Sequence, residues 1–158
     1  MTPKKDLELY LHIPFCRQKC RYCDFLSAPL AVGTPGDADV RGMDARREII
    51  RNAGSGQQSA SATDAHVPES YVDALITQIV QESQFYQERR VTTLFWGGGT
   101  PSLLRVRDME RLMDAIRTHF CVADDAEITL ESNPGTLDFE KLAGYRRAGI
   151  NRLSMGLQ

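Results

Sequence analysis

Leu7, Leu9, Leu11 and Ile13 alternate with Glu8, Tyr10 and His12, the period of two expected of a strand with one apolar face. Val91 to Trp96 reads as a second strand. Glu127 to Glu131 reads as a third, with Ile128 and Leu130 opposing Glu127, Thr129 and Glu131, and in a fourth Leu153, Met155 and Leu157 oppose Ser154, Gly156 and Gln158. Between strands the spacing lengthens to that of helices. Pro68 and Glu69 suit a first turn, after which Val72, Leu75, Ile76 and Ile79 mark one buried face that runs out in the charged QERR. Met109, Leu112, Met113, Ile116 and Phe120 mark a second helix, its methionines read as core filling. A third contains Phe139 and Leu142, capped by Thr136 or Asp138 and ended by Gly149 after Arg146 and Arg147.

Strand and helix therefore alternate three times before a fourth strand, which predicts an α/β fold: parallel (βα) repeats forming the N-terminal part of a partial TIM-type barrel. In such folds ligands gather at the carboxyl ends of the strands. Tyr10, on the polar face of the first strand, is expected to point toward that site, although periodicity alone favours an ordinary strand tyrosine.

Two loops at those ends carry chemistry. The first, HIPFCRQKCRYCDF, places Cys16, Cys20 and Cys23 within eight residues. Thiolates are soft ligands that select iron–sulfur clusters, zinc or cuprous copper. Three cysteines would hold a 4Fe-4S cluster and leave one iron open to a substrate. The competing reading is structural zinc with His12 or Cys121 as fourth ligand, but zinc sites usually draw on two short ligand pairs and no second pair exists. Cys121 stands alone at the expected end of the second helix. Arg17, Lys19 and Arg21 interleave with the cysteines, where their charge would favour thiolates and offset a negative cluster, or simply solvate a loop. The second loop, FWGGGTPS, follows the second strand, and its three glycines let backbone approach a small polar group; a plain turn is the alternative.

The Cys-x3-Cys-x2-Cys spacing and GGGTP, in these positions, resemble the radical S-adenosylmethionine superfamily. LYLHIPFCRQKCRYCDF, FWGGGTPSLL, ITLESNPGTL and AGINRLSMGLQ are similar to its branch of oxygen-independent coproporphyrinogen III dehydrogenases and related haem chaperones, over residues 7 to 27 and 68 to 158. The resemblance implies a 4Fe-4S cluster on Cys16, Cys20 and Cys23. It implies S-adenosylmethionine contacts at Tyr10, Tyr22, Gly98, Gly99, Thr100, Glu131 and Gln158, with Glu131 orienting the cofactor through a charge-assisted hydrogen bond. The cofactor's amino and carboxylate groups would chelate the open iron, and an electron from the cluster would cleave the sulfonium bond to give methionine and a 5'-deoxyadenosyl radical. Dehydrogenases of the branch typically carry a further cysteine as Cys-x-Cys and a longer segment before the triplet. Here Asp24 and Phe25 follow Cys23 and fifteen residues precede Cys16, departures that favour a chaperone delivering haem to target proteins. Oxidative decarboxylation of coproporphyrinogen III is the alternative. Expected partners are haem or a porphyrin, haem-accepting target proteins and an acidic, flavodoxin-type electron donor docked on the basic rim.

Composition narrows the class without deciding it. With 42% hydrophobic residues and a net charge of -2, the 158 residues have the balance of a globular domain, with no basic excess to attract nucleic acid. No stretch is apolar enough for a membrane span or signal peptide, so a cytoplasmic location is expected, where cysteines bind metal more readily than they pair. Residues 28–67 turn rich in glycine, alanine, serine and polar residues, and read as a disordered surface insertion. Residues 1–158 thus read as one incomplete core domain interrupted by that insertion. Because the chain stops in mid-strand, an inactive fragment is a third reading.

Overall fold

The computed structural model describes residues 5–18, 20–24, 26–30 and 66–157. Four parallel strands form one sheet: β1 (Lys5–Ile13), β4 (Arg89–Gly98), β5 (Cys121–Ser132) and β6 (Arg152–Met155), side by side in that order. Two-residue strands β2 (Phe15–Cys16) and β3 (Ala28–Pro29) pair separately beyond the end of β1. Helices α1 (Glu69–Ser83), α2 (Val106–His119) and α3 (Phe139–Ala148) make the crossovers. The expected α/β arrangement of parallel βα units is therefore present.

The core forms where the apolar sheet face meets the helices. Leu94, Trp96 and Leu130 are fully buried beneath Met109, Leu112, Met113 and Ile116 of α2, so the helix's methionines do fill the core. Removing one such side chain typically costs about 2–5 kcal/mol. Polar contacts hold the helix layer together: Arg111 pairs with Asp73 of α1, and Arg105 Nε donates to the fully buried Asp108 carboxylate at 2.6 Å.

Local chemistry sets the ends of the elements. Asp138 caps α3, its Oδ1 accepting from Lys141 N at 2.7 Å, and Gly149 ends the helix at φ 112°, donating to the Tyr145 and Arg146 carbonyls. That left-handed angle favours glycine. α3 buries Gly144, Tyr145 and Ala148, whereas Phe139 is 86% exposed.

Several expected boundaries move. α1 stops at Ser83, where Gln87 Nε2 donates to the Ser83 carbonyl at 2.8 Å. QERR is consequently a turn and the start of β4, with Arg89 and Arg90 in register with Lys5 and Asp6. The third large strand begins at Cys121, not Glu127, because Val122 pairs with Val91 before the register breaks and resumes at Thr93–Glu127. Ordered chain also extends into both ends of the 28–67 stretch expected to be disordered. Ala28 N and Leu30 N donate to the Pro14 and Cys16 carbonyls at 2.8 Å each, and Leu30 and Val67 are buried. The disorder expected for 31–65 lies outside the described residues.

Candidate functional site

β1 and β4 lead into the cysteine and glycine loops at the same end of the sheet, because parallel strands place their carboxyl ends together. The loops are bonded to each other. Gly99 N donates to the Ile13 carbonyl at 2.8 Å and Thr100 N to the Phe15 carbonyl at 2.7 Å. A Cβ on Gly99 would lie 2.6 Å from the Phe15 carbonyl oxygen, so only glycine permits this approach.

Cys16 is buried, and its Sγ accepts a hydrogen bond from Thr100 Oγ1 at 3.6 Å. Thr100 Oγ1 in turn accepts from Asn133 Nδ2 at 3.1 Å. Cys20 and Cys23 are half-buried on the outer part of the loop, where Cys23 N donates to the Cys20 carbonyl at 3.2 Å. Tyr22 is 74% exposed; its phenol pKa is raised, chiefly by a hydrogen bond with the Cys20 thiol. Among the described residues, no three His, Cys, Asp or Glu side chains are gathered as a metal-holding group. Metal binding couples to local folding, because several thiolates repel one another until a cation sits between them. Three thiols in one short loop, one already receiving a hydroxyl hydrogen bond, fit an iron–sulfur cluster by their donor chemistry.

Tyr10 and Glu131 lie on the polar face of the sheet. The Tyr10 ring stacks on Phe95, with centroids 6.1 Å apart. Its hydroxyl meets His12 Nδ1 at 3.1 Å, while His12 Nε2 lies 2.8 Å from the Leu26 carbonyl. Burial, and then the Glu131 charge, raise the Tyr10 pKa. Glu131 Oε2 accepts from Gly98 N at 3.2 Å, and Gly98 adopts φ 112°. Tyr10, Gly98, Gly99, Thr100, Glu131 and Cys16 are thus brought together. Gln158 lies outside the described residues, as do Lys19 and Phe25 of the cysteine loop.

The zinc alternatives find no geometric support. Cys121 directly follows Phe120, the C-cap of α2, and opens β5, paired with Arg90 at the amino end of the sheet, opposite the cysteine loop. Both ring nitrogens of His12 already have partners. A separate cleft of about 390 Å³ beside Arg17 also has its cations engaged. Lys141 Nζ donates to the Ser102 carbonyl at 2.6 Å, and Arg17 Nη1 to that of Gly135 at 3.4 Å. Burial lowers the Lys141 pKa, with the Arg17 charge acting the same way and Asp138 opposing.

The model of the Radical SAM superfamily matches residues 10–158. The chain belongs to the radical SAM superfamily. It is 38% identical over its full length to the haem chaperone HemW of Escherichia coli, covering 33% of that protein. To HemW of Synechocystis it is 40% identical over 94% of its length, covering 29% of that relative. Oxygen-independent coproporphyrinogen III oxidase of Escherichia coli is 32% identical over 99% of this chain, which covers 27% of the enzyme. The solved structure of the same organism's coproporphyrinogen III oxidase (HemN), described as a radical SAM enzyme, superposes with a TM-score of 0.69 at 30% identity, covering 98% of this chain and 28% of that one. The chain spans about a third of the length of the HemW it matches. Its parallel α/β sheet matches the radical SAM fold of the enzyme, as part of a barrel. Membership of the radical SAM superfamily implies S-adenosylmethionine and a 4Fe-4S cluster. Among the described residues no helix is long and apolar enough to cross a membrane.

Two residues hydrogen-bonded into this cluster of side chains are not marked as such by the sequence. Asn133 reads as a turn residue in SNPG, and His12 as a polar strand position or zinc ligand. No local pattern marks either, because their partners Thr100 and Leu26 are distant in sequence.

Proposed function

We propose that Cys16, Cys20 and Cys23 hold a 4Fe-4S cluster, that Tyr10, Tyr22, Gly98, Gly99, Thr100, Glu131 and Gln158 contribute to the S-adenosylmethionine site, and that the whole protein delivers haem to target proteins. When bound, the cluster supplies the electron for reductive cleavage of the cofactor's sulfonium. The observation that carries the reading is the joining of the cysteine loop to the glycine loop through Gly99, Thr100 and Cys16 at one end of the sheet. In this reading Thr100 acts through Cys16: its amide and hydroxyl are both engaged inside the protein, and the hydroxyl steadies the sulfur's negative charge. Glu131 holds the Gly98 amide and offers its carboxylate to the cofactor.

The choice of chaperone rests on the 38% identity to HemW across the whole chain and on Asp24 and Phe25 after Cys23, where a Cys-x-Cys pair starting at Cys23 would put its second cysteine at position 25. Oxidative decarboxylation of coproporphyrinogen III is the second reading, supported by the 32% identity to the oxidase.

The test uses the full-length protein reconstituted with iron and sulfide without oxygen. Cys20→Ala should abolish the reduced-cluster EPR signal, and Cys121→Ser should leave it; an intact 4Fe-4S signal in Cys20→Ala would refute the ligand assignment. Titration with haem should show tight binding without consumption of coproporphyrinogen III. Multiple turnovers of that porphyrinogen would replace the chaperone reading with the enzymatic one.

A further inference from the structure

The wall formed by Tyr10, Glu131 and the glycine loop has its donors engaged within the protein. The N–H groups of Gly98, Gly99 and Thr100 point to Glu131 Oε2, the Ile13 carbonyl and the Phe15 carbonyl. The glycine loop is therefore not a nest of free amides for an anion, the usual use of such turns. Glu131 adds an acceptor-only carboxylate. What remains open is the direction of the Tyr10 hydroxyl, which can donate or accept.

His12 decides that direction. A backbone carbonyl can only accept, so at 2.8 Å from the Leu26 oxygen His12 Nε2 carries a proton. In the neutral ring Nδ1 is then bare, and at 3.1 Å from the Tyr10 oxygen it accepts the phenolic proton. The Tyr10 oxygen keeps its lone pairs for whatever faces it. The ring is also held in place: a Cβ on Gly98 would lie 2.7 Å from both His12 Nδ1 and Cε1, so imidazole and glycine backbone are packed together.

We propose that His12 is a positioning residue that holds the Tyr10 hydroxyl as a hydrogen-bond acceptor, so that Tyr10 and Glu131 together present an acceptor-only wall to a cationic group of the ligand. The inference rests on the reading that this ligand is S-adenosylmethionine, whose sulfonium and amino groups suit such a wall and whose carboxylate does not.

A double-mutant cycle on the full-length, cluster-loaded protein tests it, with S-adenosylmethionine affinity measured by calorimetry. His12→Phe and Tyr10→Phe should each weaken binding about tenfold, the loss expected for one hydrogen bond of about 1.4 kcal/mol. The double variant should be no weaker than either single one, because both changes remove the same oriented hydroxyl. His12→Gln, which has both a donor and an acceptor, should recover most of the affinity. Losses that multiply in the double variant, or unchanged binding by His12→Phe, overturn the proposal. Should the Phe variant not fold, the imidazole 15N shifts of the wild-type protein decide: Nε2 protonated and Nδ1 bare is expected, and the opposite tautomer or a doubly protonated ring overturns it. Failure of the wild-type protein to bind S-adenosylmethionine sinks the functional reading itself, a result distinct from additive losses in a protein that binds it.

Discussion

Thr100 Oγ1 donates to Cys16 Sγ across 3.6 Å, joining residues 84 apart in the chain. Hydrogen bonds to a cluster's sulfur ligands stabilise its more negative, reduced state and raise its potential. Thr100→Val keeps the side chain's shape and removes the donor, so the reduced state should become harder to reach. An EPR-monitored redox titration of the reconstituted protein should show a lower potential, and one unmoved by the substitution would remove this role from Thr100.

Gly99 tests the contact between the loops. Gly99→Ala brings Cβ to 2.6 Å from the Phe15 carbonyl oxygen, a backbone atom that cannot rotate away. Destabilisation of about 3 kcal/mol is expected, the upper end for overpacking. Urea unfolding of the full-length protein measures it; a change near zero would mean that the loops separate easily.

Tyr145 predicts an alkaline limit to stability. Its hydroxyl donates to the Leu104 carbonyl at 2.6 Å and the Ser102 carbonyl at 3.3 Å. Burial, followed by the charges of Asp108 and Asp138, raises its pKa well above the ordinary 10.0. The folded protein therefore keeps this proton while the unfolded chain loses it above pH 10. The contribution is fully present below that pH and falls as pH rises further, by at most about 1.4 kcal/mol per pH unit. Unfolding midpoints measured on either side of pH 10 should fall more steeply for wild type than for Tyr145→Phe, and parallel slopes would contradict the assignment.

Arg17 and Arg21 lie exposed on the cysteine loop. If an acidic protein donor docks there, Arg17→Glu with Arg21→Glu should slow cluster reduction by flavodoxin about tenfold or more at low salt, and the deficit should shrink as salt screens the charges. Reduction by dithionite, which needs no docked protein, serves as the control. Equal flavodoxin rates in variant and wild type would place the donor elsewhere.

The sequence by itself determined the order and direction of the elements. Alternation in Leu7 to Ile13 and the helical spacing of Met109 to Ile116 report burial on one face, a property carried by neighbouring residues. Asp138 and Gly149 were equally legible, because capping and left-handed turns depend on a few adjacent groups. The same locality made Cys16, Cys20 and Cys23 visible as a set. Tertiary structure decided where the strands begin and what the site's polar atoms do. Arg89 and Arg90 enter β4 because Lys5 and Asp6 lie beside them, despite charges that read as a helix end. Cys121 proved to be at the far end of the sheet only once β5 was placed. The Asn133–Thr100–Cys16 chain and the bridge from Tyr10 through His12 to Leu26 each depend on segments that folding brings together. Hydrogen bonds act over about 3 Å, so a pattern read along the chain can identify a donor or acceptor, but its distant partner is set by the packing of strands and loops.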